Sequence, residues 1–425
     1  MKKVISYIRM KKYYMQARVI INFNNIKNRI LFALNPKKRK VLIESEFQNG
    51  VVLILAMYEK GKIRKDIENL CKTAKSMNIF VIAVNTRKLY KEYIKKDLFD
   101  CYIERKNYGR DFGSYKEGFM YIYEKGINKK AKRIIILNDS VFYSKTHMRG
   151  FLKKLAETDI QALGATENFE FNHHLGSFCI SISKSIFNNK KFISYWKKYK
   201  LTDIRPRVIK RGEIELSKTL LRCAADGEVR ALYSSVEFIK YLQKNDFLDY
   251  CLKVRANPKI GWERMRFEDM VRNYVSEYIH RTSGYENISS LRVDVEMGKI
   301  NEIERFKQVE NFSQLKKYIC ERYKISLSNE SAETLRKCII SYLVGIFRSG
   351  SQIHKNAPIL LRMGCAIIKI DGLYRGAFDD YTILYIVEQL DDDDRQELLR
   401  ILQARPFGGE TLTKWKLAAF NRGLI

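Results

Sequence analysis

The chain has 425 residues, 46% of them hydrophobic and 12% aromatic, with five prolines; this supplies a sizeable core, allows two or three folding units, and argues against long extended linkers and against disorder as the default. Lysine and arginine number 79 against 48 aspartate and glutamate, a net charge of +31, which favours nucleic acid, anionic lipid or sugar phosphates as neighbours without choosing among them. Eight cysteines stand far apart with no CxxC pair, which argues against a zinc module and predicts reduced core thiols.

Residues 1–45 read as a basic leader in which Ile20, Ile21, Phe23, Ile26, Ile30, Leu31 and Leu34 recur at helical spacing, predicting a surface helix. Charges interrupt the N-terminal segment early, and no stretch approaches about 20 uninterrupted apolar residues, so neither a signal peptide nor a membrane-spanning helix is expected. The expected location is the cytoplasm, with the inner face of the cytoplasmic membrane as a peripheral contact.

From Gly50 onward the pattern changes. Val51 to Met57, Ile79 to Val84 and Arg133 to Leu137 are continuous apolar runs, as in strands covered on both faces, and a shorter strand is predicted at Asp100 to Ile103. Between them Ile63 to Ser76, Tyr90 to Lys95 and the Phe112, Tyr115, Phe119, Ile122 series read as helices. Strands alternating with helices imply an open, mostly parallel α/β sheet, completed by a strand at Ser177 to Ile182 and helices at Ile186 to Tyr199 and Glu213 to Ala225. We therefore expect an α/β domain over 46–237 and a C-terminal helical domain over 238–425, with helices at Phe312 to Tyr323, Glu333 to Phe347 and Tyr381 to Leu402. The apolar stretch Ala357 to Ile370 reads as a core helix, with a bilayer-facing helix as its alternative. Asp391 to Asp394 read as an acidic helix start.

Two polar clusters carry the chemistry. Asn107-Tyr108-Gly109-Arg110-Asp111 combines a glycine turn with a helix N-terminus, a place where backbone N–H groups meet an anion and where Arg110 neutralises phosphate. One helix and one strand later, Asn138-Asp139-Ser140 stands at a strand tip. Ligands of open α/β sheets bind beyond the carboxyl ends of the strands, so Asp139 is placed to hold a divalent cation or sugar hydroxyls. Taken singly, Asp111 is equally a helix cap and Asn138 to Ser140 equally a turn. Their joint spacing favours one diphosphate site.

The stretch Asn107 to Gly118 resembles the Asn-x-Gly-x-Asp-Phe-Gly-x-Tyr-Lys-x-Gly motif of the rhamnan-synthesis F family, and Asn138 to Ser140 resembles that family's Asn-Asp-Ser strand end. His174-Leu175-Gly176-Ser177-Phe178, Glu213-Ile214-Glu215-Leu216-Ser217 and Asn257-Pro258 with Trp262 are similar to later family segments, over about residues 50 to 265. The resemblance implies a Rossmann-like domain of GT-A type and a glycosyltransferase of bacterial surface polysaccharide. A nucleoside-diphosphate sugar, with rhamnose as the named example, is the implied donor, and a growing glycan or lipid-linked oligosaccharide the implied acceptor. It implies a donor site at Tyr58, Asn107, Gly109, Arg110, Asp111, Asn138 and Ser140, and an acceptor site at His173, His174 and Ser177.

An inverting transfer needs a base for the acceptor hydroxyl and charge support for the departing diphosphate. Glu213 is the first candidate for the base and Glu215 the second. Asp139 is the candidate ligand of Mg²⁺ or Mn²⁺ or of the donor sugar, and Arg205 and Arg207 are candidate phosphate contacts. Two other readings stand beside this one. The charge suits a nucleic-acid-binding protein, although no binding module is recognisable and nucleic acid is not the expected partner. A catalytically silent scaffold of polysaccharide assembly would keep the same fold.

Overall fold

The computed structural model describes residues 2–34, 39–170, 172–256, 262–283 and 309–425. They fall into two compact units, one of residues 1–233, 350–378 and 387–425, the other of residues 234–349 and 379–386.

The first unit opens with α1 (Lys2–Ala33) and β1 (Arg39–Glu44), followed by β2 (Gly50–Met57), α2 (Lys65–Ser76), β3 (Phe80–Asn85), β4 (Cys101–Arg105), α3 (Arg110–Glu124), β5 (Ala131–Asn138) and β6 (Val141–Tyr143). It continues with α4 (Lys145–Glu157), β7 (Ala162–Gly164), β8 (Cys179–Ser183), α5 (Lys190–Lys198), α6 (Glu215–Cys223), β9 (Val229–Ala231) and, far along the chain, β10 (Ile367–Lys369). One eight-stranded sheet runs β1-β4-β3-β2-β5-β8-β7-β9. β4, β3, β2 and β5 are mutually parallel, as are β7 and β9, while β1 and β8 run against their neighbours.

The sheet is buried on both faces, which is why its central strands read as unbroken apolar runs rather than as an alternation. Val52, Ile54, Ile134 and Ile136 join one core cluster with Phe112, Phe119 and Trp196 of α3 and α5. Leu53, Leu55, Ile135 and Leu137 are fully buried on the opposite face, where α2 and α4 pack. Gly118 of α3 sits so close to β2 that an added Cβ would lie 2.6 Å from Ile54 Cγ2. That glycine of the motif serves helix-to-sheet packing.

Four sequence expectations are corrected here. Residues 238–425 are not one helical domain, because 350–378 and 387–425 belong to the sheet unit, where β10 pairs antiparallel with β6 (Ile368 opposite Phe142). The stretch Ala357 to Ile370 is not one helix. A short helix Ala357–Arg362 ends at Gly364, whose φ of +89° suits glycine, and the chain then enters β10. Its apolar side chains, Ile359, Leu360, Leu361, Ile367 and Ile368, are buried, so no face of it is offered to a bilayer. The reading Tyr381 to Leu402 splits into Asp380–Val387 and Asp392–Gln403, the latter capped by the Asp391 carboxylate, which accepts from the Asp394 N–H at 2.8 Å. Tyr90 to Lys95 shortens to a 3₁₀ turn, Lys91–Tyr93.

The second unit is helical over its described residues: Ser235–Leu242, Asn245–Ala256, Trp262–Ser283, Phe312–Tyr323 and Asn329–Arg348. Phe238 stacks on Phe347 with ring centroids 4.2 Å apart, and Phe312 N–H donates to Asp249 at 2.8 Å. Asn257 and Pro258 lie outside the described residues.

Candidate functional site

Strand order reverses between β2 and β5, whose neighbours lead outward in opposite directions along the sheet. At such a switch point the loops leaving the two strands separate and open a crevice. A cleft of about 690 Å³ lies there, lined among others by Tyr58, Glu59, Arg64, Asp111, Asp139 and Ser140.

Asp139 follows β5 directly. Its carboxylate accepts the backbone N–H of Tyr58, the first residue beyond β2, so the two strand ends are tied through the residue that faces the cleft. Arg64 reinforces the tie by donating to the Asp139 carbonyl at 2.9 Å and the Val141 carbonyl at 2.7 Å while pairing with both oxygens of Asp66 at 3.0 and 2.9 Å. Burial pushes the Asp139 carboxyl up to about 7; Arg64 and the Tyr58 N–H pull it down, whereas Glu59 and Asp111 add to the rise. Burial likewise raises Glu59.

Asp111, on the first turn of α3, does not act as the cap of that helix. Its carboxylate instead accepts the Asn138 amide at 2.9 Å, and burial raises its pKa against the charges of Lys369, Arg110 and Arg105. Asn138 lies beneath the cleft floor, 2% exposed. Its other amide atom accepts the Ser140 N–H at 3.1 Å and hydroxyl at 2.6 Å, and the Ser140 oxygen in turn accepts from Lys369 at 2.9 Å. The two clusters of the sequence thus converge through one hydrogen-bonded chain, Asp111 to Asn138 to Ser140 to Lys369.

Most of the glycine motif builds the loop rather than touching the cleft. Gly109 holds a φ of +93° and donates its N–H to Asp203 at 2.7 Å, and its missing Cβ leaves room for Leu201. Arg110 also takes a positive φ, +49°, and donates to the Asp203 carbonyl at 2.9 Å while lining the cleft. The Lys116 ammonium caps the C-terminal end of α5 by donating to the carbonyls of Lys197 and Tyr199 at 3.0 and 2.8 Å. Tyr115 donates to the Ser177 carbonyl at 3.0 Å and so holds the strand-side wall. Asn107 is exposed on the rim, and Ser177 is a buried lining residue.

Glu213 enters from a π-helical turn, Ile209–Ile214, whose Gly212 lets the backbone approach Phe112. Burial raises its pKa, opposed by Lys369 and His174, assisted by Asp111, and opposed again by Arg205. His174 is buried behind it, with Nε2 at 4.0 Å from the carboxylate and Nδ1 at 2.8 Å from the Asn172 carbonyl. Glu215 turns away to pair with Arg222 at 3.0 Å, and His173 pairs with Glu167 at 3.0 Å on a segment that does not line the cleft. Arg205 lines the cleft and Arg207 does not.

The wall that sequence reasoning missed comes from β10 and the turn after it. Lys369, Asp371 and Arg375 line the cleft more than 200 positions after Asp139. Burial opposes ionisation of Asp371, yet the His354 hydrogen bond at 3.0 Å together with Lys369 and Arg375 holds its carboxyl well below the usual range. No local pattern marks these residues. Glu59 and Arg64 were findable, because both follow the strand that borders the switch point.

Beside the cleft, sharing Thr86 and Asn107 with it, a hollow of about 580 Å³ is lined by Arg39, Lys60, Arg87, Lys88 and Lys106. Among the described residues no three His, Cys, Asp or Glu side chains group as a metal cage. Asp139 offers a single carboxylate.

Comparison with known proteins agrees with the motifs. The chain is 27% identical over 172 residues to the uncharacterized protein y4gN of Sinorhizobium fredii, covering 39% of this chain and 44% of that protein. It is 28% identical over 159 residues to the virulence protein VirA of Vibrio anguillarum, covering 36% of this chain and 49% of that protein. Each match spans less than half of the relative. The model of the family described as rhamnan synthesis protein F matches residues 79–227, which hold β3 to α6 with Asp111, Asp139 and Glu213. By that match, and by the motifs within it, residues 79–227 are similar to a rhamnan synthesis protein F segment.

Proposed function

We propose that the chain is a glycosyltransferase of GT-A type that moves a sugar, with rhamnose as the candidate, from a nucleoside-diphosphate donor to a growing bacterial surface glycan or lipid-linked oligosaccharide. The observation that carries this reading is the cleft at the switch point, where six side-chain carboxyls, Asp111, Asp139 and Glu213 among them, share one space with six cations, Arg110, Arg205, Lys369 and Arg375 among them. Such a site suits a ligand that is anionic at one end and rich in hydroxyls at the other.

In this reading the diphosphate meets Arg110, Lys369, Arg205 and Arg375, which offset the charge that develops as the bond to the sugar breaks. Tyr58, more than half exposed and with the Arg87 guanidinium 5.2 Å from its ring centre, is a platform on which a nucleobase stacks. Asp139 orients the sugar hydroxyls. A Mg²⁺ or Mn²⁺ ion at Asp139 would draw most of its oxygen ligands from the diphosphate and water, since the protein supplies one carboxylate there. Glu213 takes the proton of the acceptor hydroxyl, with His174 Nε2 4.0 Å behind its carboxylate. The basic hollow beside the cleft raises the local concentration of anionic donor.

The test is a screen of nucleotide sugars for slow hydrolysis without acceptor and for thermal stabilisation of the protein; stabilisation by none of them would overturn the reading. Glu213→Gln is expected to lower transfer about a hundredfold or more with donor binding unchanged. Because Glu213 must lose its proton to act and its pKa is raised, the rate should climb with pH above the ordinary glutamate range, and the pH profile of the wild type checks this. Lys369→Met should weaken nucleoside-diphosphate binding about tenfold, read by calorimetry.

A further inference from the structure

Helix α1 is 32 residues long, about 48 Å, and its sequence contains no Asp or Glu. One face of it docks on the sheet unit. Ala17 is fully buried, the Asn25 side chain accepts from Thr202 Oγ1 at 3.1 Å and from the Asp203 N–H at 2.9 Å, and Asn28 donates to the Asp203 carboxylate at 2.9 Å. Phe32 packs on Tyr108, and Lys106 donates to the Leu31 carbonyl at 2.7 Å.

The opposite face is unpartnered among the described residues, and it is apolar. Ile8, Met15, Val19, Phe23, Ile26 and Ile30 are each 53% to 68% exposed, and the stripe continues to Leu34 at 74%. At about 100° per residue these six fall within an arc of about 80°. Exposed cations border that arc: Arg9 and Lys27 along one margin, Lys11, Arg18 and Arg29 along the other, with Lys12 inside it. A soluble surface does not normally keep an apolar stripe of this length bare.

We infer that α1 is an interfacial helix that lays this stripe into the surface of an anionic lipid bilayer, its cations meeting the lipid phosphates. The charge pattern selects this occupant. A second copy of α1 would bring like charges together with no acid on either helix to answer them, whereas an anionic headgroup layer complements cations on both margins of an apolar strip. No helix among the described residues is long and apolar enough to cross a membrane, so the contact lies in the interface plane. The docked face carries a consequence for the cleft. Asn25 and Asn28 hold Asp203, and Asp203 holds the Gly109 N–H, so the lipid-facing helix and the loop ahead of α3 are joined by direct hydrogen bonds. A lipid-linked acceptor would then meet the cleft at the membrane surface.

The inference stands on α1 alone and is tested without any sugar donor. The full chain is floated with vesicles of phosphatidylethanolamine and phosphatidylglycerol, and separately with phosphatidylcholine vesicles. It should float with the first, weakly or not at all with the second, and less at high salt. The triple variant Val19→Glu, Phe23→Glu, Ile26→Glu changes exposed positions only and should keep the circular dichroism and unfolding midpoint of the wild type while losing vesicle binding more than about a hundredfold. Arg18→Glu with Arg29→Glu should weaken binding to anionic vesicles about tenfold or more. Absence of binding to the anionic vesicles, binding that the triple variant leaves intact, or a dimer that the triple variant converts to monomer without any vesicle binding would each overturn it.

Discussion

Asp139→Asn is expected to cut sugar transfer about a hundred- to a thousandfold while making the protein more stable at neutral and alkaline pH. The two effects share one cause. Asp139 is 8% exposed and its carboxyl is pushed up to about 7, chiefly by burial, against an ordinary value of 3.8. Between those two pH values the folded protein holds a proton that the unfolded chain has released, so stability falls as pH rises through this window, by roughly 2 to 4 kcal/mol in total. Above it the loss is complete; below the ordinary carboxylate range it is absent. Asparagine keeps the acceptor for the Tyr58 N–H and never ionises, so urea unfolding at about pH 8 should show the variant more stable by about 2 kcal/mol and at about pH 4 should show no gain. A buried carboxyl whose ionisation costs folding energy, facing a cleft, marks a candidate functional group. A variant with normal transfer would remove Asp139 from the donor site, and a variant less stable at both pH values would show that the carboxylate is a structural tie and nothing more.

How much of this was legible in the sequence depended on the range of the interaction. Val51 to Met57, Ile79 to Val84 and Arg133 to Leu137 announced themselves because a strand buried on both faces must be apolar at every position, and they appear as β2, β3 and β5 within one or two residues. Asp111 and Asp139 could be brought together because strand–helix–strand connectivity fixes where strand ends lie, and the Asn138 amide joins the two clusters. β1 escaped because Arg39-Lys-Val-Leu-Ile-Glu44 is an edge strand, buried only at Ile43, whose polar positions read as more of the basic leader. Lys369, Asp371 and Arg375 escaped for a different reason. Their segment pairs with β6 across more than 220 positions, and a short strand after a glycine stop has no period long enough to separate it from the helix before it. The same limit hid the membership of residues 350–378 and 387–425 in the sheet unit, since helical periodicity says that an element forms and not where it packs.

Gly113→Ala and Gly150→Ala should move stability in opposite directions, although both glycines lie inside helices where alanine is the better helix former by about 1 kcal/mol. Gly150, in α4, has nothing within 4 Å of the position its Cβ would take, so alanine there should stabilise by about 0.5 to 1 kcal/mol. Gly113, in α3, is crossed by the Arg105 side chain, whose guanidinium donates to the Tyr108 carbonyl and, at 3.2 Å, to the Ser114 hydroxyl. A Cβ at 113 would fall on that guanidinium and 2.7 Å from the Tyr108 oxygen. Arg105 is only 5% exposed, and burial has already lowered its pKa to about 10, so it cannot swing out to water, and if displaced it is left as a buried cation short of acceptors. The expected loss is about 3 kcal/mol or more, measured by chemical unfolding. Because the Tyr108 carbonyl is part of the turn that leads through Gly109 into Arg110 and Asp111, donor binding should weaken in the same variant, whereas Gly150→Ala should leave it untouched. Equal and small effects at both positions would mean that the Arg105 crossing does not hold the loop, and the motif's second glycine would then have lost its reason.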